Sequence, residues 1–243
     1  MLYVIFSDVH SNLEALLAVM RSFPKDAGCV CAGDIVGYGA DPEKCVDLVC
    51  EKHIDCVIGN HDKAACGDIA LAETFTDRAR EAVFWTRNML GDAHRAFLER
   101  LPYVLERKDF VMVHGTLQEP ETFRYMRSFY DAAETFDVMG TTQKICFVGH
   151  SHLPGIFRQS EEGDISYSTQ REIKISPKDK YIINVGSVGQ PRDMDKRACY
   201  CVYDTEKKVV KFFRMEYDIK TAHDKILNAG LPASLAERLL SGT

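Results

Sequence analysis

Apolar runs unbroken by any polar side chain occur at Leu2–Phe6, 29–32, 56–58, 110–113 and Ile145–Val148, the pattern of strands buried on both faces. Between the first three runs the period changes. Leu13, Leu16, Leu17 and Met20, then Pro42, Cys45, Val46 and Val49, recur at helical spacing. Ser11 or Asn12 caps the first helix, and Asp41-Pro42 supplies the cap and opening residue of the second. Strand, turn and crossover helix, repeated, predict an α/β sheet. From 63 to 101 the pattern is helical, with Ala79, Ala82, Val83, Thr86 and Leu90 on one stripe and Phe97, Leu98 and Leu101 on another. That is longer than a simple crossover and predicts a helical insertion beside the mouth of a site.

The segment 119–138 mixes aromatics with Arg124 and Arg127 and suggests no regular element. Beyond it, strand patterns at 155–158, Ile165–Ser168, 172–175, 181–184, 198–203 and 209–214 predict a second, largely antiparallel sheet packed on the first. Helices are expected at 218–228 and 232–240, the latter ended by Gly242. There is no repeat, low-complexity tract or linker, so residues 1–243 read as one domain.

Composition narrows the function. A chain of 243 residues that is 46% hydrophobic supports a full core. The net charge of -6 argues against strong nucleic-acid binding, because phosphate backbones demand a basic surface. It leaves room for a small phosphorylated substrate if metals supply the positive charge. No apolar run is long enough for a membrane span, and the chain opens on a strand, which predicts a cytoplasmic protein. Among nine cysteines, Cys29-x-Cys31 and Cys199-x-Cys201 have strand spacing and read as reduced core residues instead of a zinc knuckle.

The chemistry sits where the apolar runs stop. Ser7-Asp8-Val9-His10 follows the first, Gly33-Asp34 the second, Gly59-Asn60-His61-Asp62 the third, His114-Gly115 the fourth and Gly149-His150-Ser151-His152 the fifth. Ligand sites in open α/β sheets form outside the carboxyl ends of strands, so these segments are able to converge. Asp8, Asp34, one Asn and five His exceed the needs of one ion and point to a pair of divalent metals sharing a carboxylate. One histidine alone would read as a satisfied core or surface side chain. Five at strand ends do not, whereas His53, His94 and His223 lie outside the pattern.

In order and spacing this set resembles the calcineurin-like metallophosphoesterases. The resemblance implies a four-layer αββα sandwich, with Asp8, His10 and His152 completing one metal site, Asn60, His114 and His150 the other, and Asp34 bridging them. Carboxylate, imidazole and amide donors suit Mn²⁺ or Fe²⁺, or Zn²⁺, better than Ca²⁺. It implies a hydrolase in which two ions hold a deprotonated water for in-line attack on phosphorus. His61 is left free of the metals to stabilise the transition state or protonate the leaving oxygen, and Asp62 either orients His61 or caps the next helix.

Further motifs, Gly33-Asp34-x-x-Gly37-Tyr38-Gly39, Asn184-Val185-Gly186-Ser187-Val188-Gly189-Gln190-Pro191-Arg192 and Ala229-Gly230-Leu231-Pro232, resemble a branch of small single-domain bacterial and archaeal phosphodiesterases. Val185 replaces the proline usual there. Protein phosphatases of the superfamily carry an Asp and an Arg at the positions of Gly37 and Tyr38, which makes a phosphoprotein a poor expectation. Tyr38 and Arg192 are the candidate substrate contacts, against the alternative that Arg192 is a solvated surface residue. The expected substrate is a small phosphodiester or nucleotide. Dinucleoside polyphosphate hydrolysis, phosphomonoester hydrolysis and a non-catalytic interaction scaffold are the alternatives.

Overall fold

The computed structural model describes residues 1–140 and 143–243. Three strands, β1 (Leu2–Phe6), β2 (Gly28–Cys31) and β3 (Asp55–Cys56), pair in parallel, joined by the crossover helices α1 (Leu13–Ser22) and α2 (Pro42–Glu51). The period-two alternation of β1 explains its two-sided burial. Val4 and Phe6 pack with Leu16, Val19, Cys45 and Val46 of the helices, while Ile5 points the other way, into a layer shared with a second sheet. The third apolar run is only partly strand. After Cys56 the chain peels away, with Val57 N–H donating to the Cys31 carbonyl and Ile58 N–H to that of Pro102, and so delivers Gly59 beneath Asp34.

Four helices follow: α3 (Asn60–Cys66), α4 (Ile69–Ala72), α5 (Asp77–Met89) and α6 (Asp92–Glu99). The second sheet then begins with β4 (Val104–Glu106), β5 (Val111–Val113) and β6 (Ile145–Val148), with α7 (Phe129–Val138) between the last two. Neither β4 nor α7 was evident from the hydrophobic pattern. The start signal of α7 is nonetheless present, since Ser128 Oγ accepts from Asp131 N–H and Asp131 Oδ2 accepts from Ser128 N–H. Its Ala132 and Phe136 cover Val111, Val113, Cys146 and Val148, forming the fourth layer.

The expectation of a separate antiparallel sheet after His152 is corrected. Strands β7 (Gly155–Gln159), β8 (Ile165–Ser168) and β10 (Lys180–Asn184) extend the second sheet, while β9 (Glu172–Lys174), β11 (Ala198–Asp204) and β12 (Val209–Met215) extend the first. Among the described residues this gives two mixed six-stranded sheets, ordered β3-β2-β1-β11-β12-β9 and β4-β5-β6-β10-β7-β8. β10 runs parallel to β6 and β11 antiparallel to β1, so each later strand covers an edge the earlier ones leave open. The fold is the α/β sandwich of two sheets flanked by helices. Helices α8 (Ile219–Asn228) and α9 (Ala233–Ser241) close the chain, Gly242 ending α9 at φ 71°. All nine cysteines are free thiols, and no helix of the described residues is long and apolar enough to cross a membrane.

Candidate metal centre

The ends of β1, β2, β5 and β6 and the first turn of α3 meet at one point, and the loops that carry the ligands are tied to one another. Asp8 N–H donates to the Gly33 carbonyl (2.9 Å), His10 N–H to that of Asp34 (3.0 Å) and Gly149 N–H to that of His114 (3.0 Å). Asp8, His10, Asp34, His150 and His152 all have φ between 49° and 66°. Non-glycine residues in this left-handed region cost roughly 1–2 kcal/mol each, a strain that clusters at functional sites. Val185 N–H donates to the Val148 carbonyl (3.0 Å), a bond that the proline of the related motif would forfeit. Gly59 has no room for a side chain, since a Cβ there would lie 2.1 Å from Asp34 Oδ1.

All seven candidate ligands are buried, none more than 7% exposed. Asp8, His10 and His152 form one group and Asp34, His114 and His150 another, each with ligand atoms within 4.8 Å of one another. Asn60 Oδ1 lies 3.1 Å from His114 Nε2. Asp34 stands between the groups, its Oδ2 3.6 Å from His10 Nε2 and 3.3 Å from His114 Nε2, while its Oδ1 accepts from His61 N–H (2.8 Å).

The hydrogen bonds on the far side of each ring test whether metals fit. His10 Nδ1 contacts the Val36 carbonyl (3.2 Å), His114 Nδ1 that of Ala32 (2.7 Å) and His152 Nδ1 that of Gln190 (2.6 Å). A carbonyl only accepts, so each Nδ1 carries a proton, and the Nε2 atoms of His10 and His152, kept neutral by burial, turn their lone pairs inward. His10 Nε2 and His152 Nε2 then face each other at 3.0 Å, lone pair to lone pair. Such an arrangement calls for a cation, and the carbonyl partners are the outer-shell contacts that orient metal-bound histidines. His150 differs: its Nδ1 faces His114 Nε2 at 3.1 Å, and its buried Nε2 has no partner among the described residues.

His61 also comes within ligand distance of His10 and Asp34. Its ring packs against Tyr38 (centroids 4.4 Å apart) and Phe75 (4.8 Å), and its buried Nδ1 has no hydrogen-bond partner among the described residues. Gly37 (φ 96°) presses on that atom, and a Cβ there would lie 2.5 Å from it. Of the two readings open for Asp62, the structure selects the cap. Its carboxylate accepts from Val36 N–H (3.0 Å) and Gly59 N–H (3.1 Å), fastening the loop after β2 to the start of α3.

A cleft of about 390 Å³ gives access to Asn60, His61 and His150. Leu71 of α4, Phe75 of the loop after it and Ala79 of α5 line it together with Phe123 and Tyr125. The Tyr125 ring stacks on His150 at 3.7 Å and carries the Arg127 guanidinium on its other side at 3.8 Å. Sequence reasoning missed Phe75 and Tyr125, because an aromatic residue in a loop has no periodicity to mark it. Tyr38 lines the cleft, whereas Arg192 stands behind it, its Nη2 3.5 Å from Tyr38 Oη and 3.0 Å from Gln190 Oε1. His94 and His223 lie apart, beside the carboxylates of Asp47 and Asp224, and His53 is exposed.

Burial holds His10, His150 and His152 below the usual imidazole range and brings His61 down to about 4. Burial opposes charge on His114 too, but the Asp34 carboxylate overcomes it and pushes His114 up to about 10. A histidine must be neutral to bind a metal, so below this pKa loading must expel the His114 proton. Metal affinity should therefore rise with pH between about 6 and 10, by up to tenfold per unit. Calorimetry in buffers of different ionisation enthalpy should detect about one proton released at pH 7; no release, or an affinity independent of pH, would contradict the assignment.

A two-sheet sandwich whose strand ends gather carboxylate, amide and imidazole donors in two linked groups defines a metal-binding phosphoesterase architecture. The model of the calcineurin-like phosphoesterase superfamily domain matches residues 1–208, and the chain belongs to that superfamily. It is similar to a metallophosphoesterase of known structure from Sphaerobacter thermophilus (37% identity, TM-score 0.87, covering 100% of this chain and 99% of that one). A protein from Methanocaldococcus jannaschii, described as uncharacterized, is 38% identical over 245 residues, covering 98% of this chain and 97% of its own. A hypothetical protein of known structure from Pyrococcus horikoshii shares the fold at 18% identity (TM-score 0.79, covering 100% of this chain and 98% of that one).

Proposed function

We propose that this chain is a two-metal phosphodiesterase acting on small phosphodiesters or nucleotides, with Asp8, His10 and His152 on one ion, Asn60, His114 and His150 on the other, and Asp34 on both. The observation that carries this reading is the position of Asp34 Oδ2 between His10 and His114. Two ions of Mn²⁺ or Fe²⁺, with Zn²⁺ as the alternative, would supply Lewis acidity and lower the pKa of a water molecule.

The remaining work belongs to the chain. His61, neutral at pH 7, donates a hydrogen bond to the departing oxygen, which supports a catalyst over a non-catalytic scaffold. The walls formed by Phe75, Phe123 and Tyr125 exclude water and offer flat surfaces to a planar leaving group. Tyr38, with Arg192 behind it, faces the anionic oxygens. The helices between Asn60 and Glu99 belong to the same single domain and shape the cleft, and the many buried thiols suit a cytoplasmic setting.

Gly37 and Tyr38 offer no guanidinium in place of the phosphatase arginine, from which a dianionic monoester would gain more than a monoanionic diester. The protein should therefore have a higher kcat/KM for bis(p-nitrophenyl) phosphate than for a phosphopeptide, and the reverse order would overturn the diester reading. Arg192→Ala should raise KM for the diester, a loss of about 1–3 kcal/mol if a charge-assisted hydrogen bond goes, with metal content unchanged. An unchanged KM would return Arg192 to the surface.

A further inference from the structure

A phosphodiester carries two organic arms, and the cleft at His61 accounts for one of them. With His61 donating to the departing oxygen, the leaving arm lies along Phe75 and Phe123, and the retained arm needs a seat of its own. A second cavity, of about 610 Å³, opens one residue further along two of the segments that build the cleft. Met126 and Arg127 follow Tyr125, Ser151 follows His150, and these three line the second cavity, which shares no lining residue with the cleft. The Tyr125 ring, with His150 against one face at 3.7 Å and the Arg127 guanidinium over the other at 3.8 Å, joins a metal-ligand histidine to the wall of this cavity.

The walls suit a flat ring. Phe129, which opens α7, meets Phe157 of β7 edge to face (centroids 5.8 Å apart), and Phe157 meets Tyr167 of β8 (4.8 Å). Phe129, Leu153 and Tyr167 are 54%, 41% and 46% exposed, and all three line the same cavity, so the apolar surface is gathered in place of being scattered. Gly155 lets the Tyr167 ring lie close over β7, since a Cβ there would stand 2.3 Å from Tyr167 Oη. Polar groups are few. Ser151 Oγ accepts from Asn184 Nδ2 (2.9 Å) and from Leu153 N–H (3.3 Å), which leaves its own proton without an acceptor among the described residues and available to a ligand. Arg127 is the one charged side chain on these walls among the described residues, and no carboxylate opposes an anionic occupant. Aromatic walls with a few convergent polar groups, in a volume within the roughly 300–1,000 Å³ of small-molecule sites, mark a binding pocket.

We propose that this cavity seats the retained arm of the substrate, a nucleoside whose base packs among Phe129, Phe157 and Tyr167 and accepts the Ser151 proton, so that the natural substrate is a diester joining two planar groups, as in a dinucleotide. This rests on the reading of the metal centre as the seat of the scissile phosphate.

The test compares two esters with the same leaving group, bis(p-nitrophenyl) phosphate and methyl p-nitrophenyl phosphate, on Mn²⁺-loaded protein. Phe129→Ala and Tyr167→Ala should each lower kcat/KM for the first ester roughly tenfold, the scale of one lost base–aromatic stacking contact, and leave the second within about twofold of the parent. Phe75→Ala, on the leaving-group side, should lower both alike. Unchanged kcat/KM for bis(p-nitrophenyl) phosphate in the two variants would overturn the proposal, as would an equal fall for both esters, which marks a structural role. A parent that sediments as a dimer and a Phe129→Ala variant that sediments as a monomer would assign the patch to a second copy of the chain and overturn it too. If the parent hydrolyses neither ester, the metal-centre reading fails, and calorimetric titration with AMP decides on the cavity alone. AMP binding that is lost in both variants would support the nucleoside seat by itself, and binding retained in them, or none in the parent, would overturn it.

Discussion

Asp34→Ala is expected to lose both metal ions and to lower phosphodiester hydrolysis by roughly 10³-fold or more, at least the scale of removing a principal electrostatic element from an active site. Asp34 is the carboxylate placed against histidines of both groups, so its removal unlinks them and leaves His10 and His152 with lone pairs opposed at 3.0 Å. It also frees the His61 N–H that Asp34 Oδ1 accepts. Metal analysis of the purified variant checks the claim, because retention of two ions would exclude a bridging role. Circular dichroism and the unfolding midpoint guard against a trivial loss of fold.

His61→Ala should behave in the opposite way, keeping two ions and the fold while kcat falls by roughly 10²- to 10⁴-fold, the range of a positioned acid–base group. The expectation rests on what surrounds the ring. His61 opens on the cleft, packs against Tyr38 and Phe75, and among the described residues lacks the carbonyl partner that orients the rings of His10, His114 and His152. Burial holds it at about 4, so it acts as a neutral hydrogen-bond donor. A limb in the kcat profile between pH 6 and 7 that vanished in the variant would show a titrating acid instead. Loss of an ion in the variant would move His61 into the ligand set, which its distance to His10 and Asp34 makes the relevant rival.

The strand-end motifs were legible because each couples an uninterrupted apolar run to a ligand type, and the fold brings these ends together wherever they fall in the sequence. The four-layer sandwich followed from the family resemblance that those motifs carry. Sheet membership was not legible. Tyr181, Ile182 and Ile183 mark a buried strand, but nothing local says that its partner is Ile145–Val148 instead of the strand that follows it. Helix α7 hid among aromatics, although Ser128 and Asp131 announce its start. The outer contacts were invisible for a different reason. The Val36, Ala32 and Gln190 groups that orient the histidines are backbone carbonyls, which every residue type carries.

Titration of metal-free protein with Mn²⁺ while following bis(p-nitrophenyl) phosphate hydrolysis tests the central claim most directly. Two ions linked by Asp34 predict little activity during the first equivalent, a rise across the second and saturation at two per chain. Full activity at one equivalent, or none at two, would contradict a catalytic metal pair.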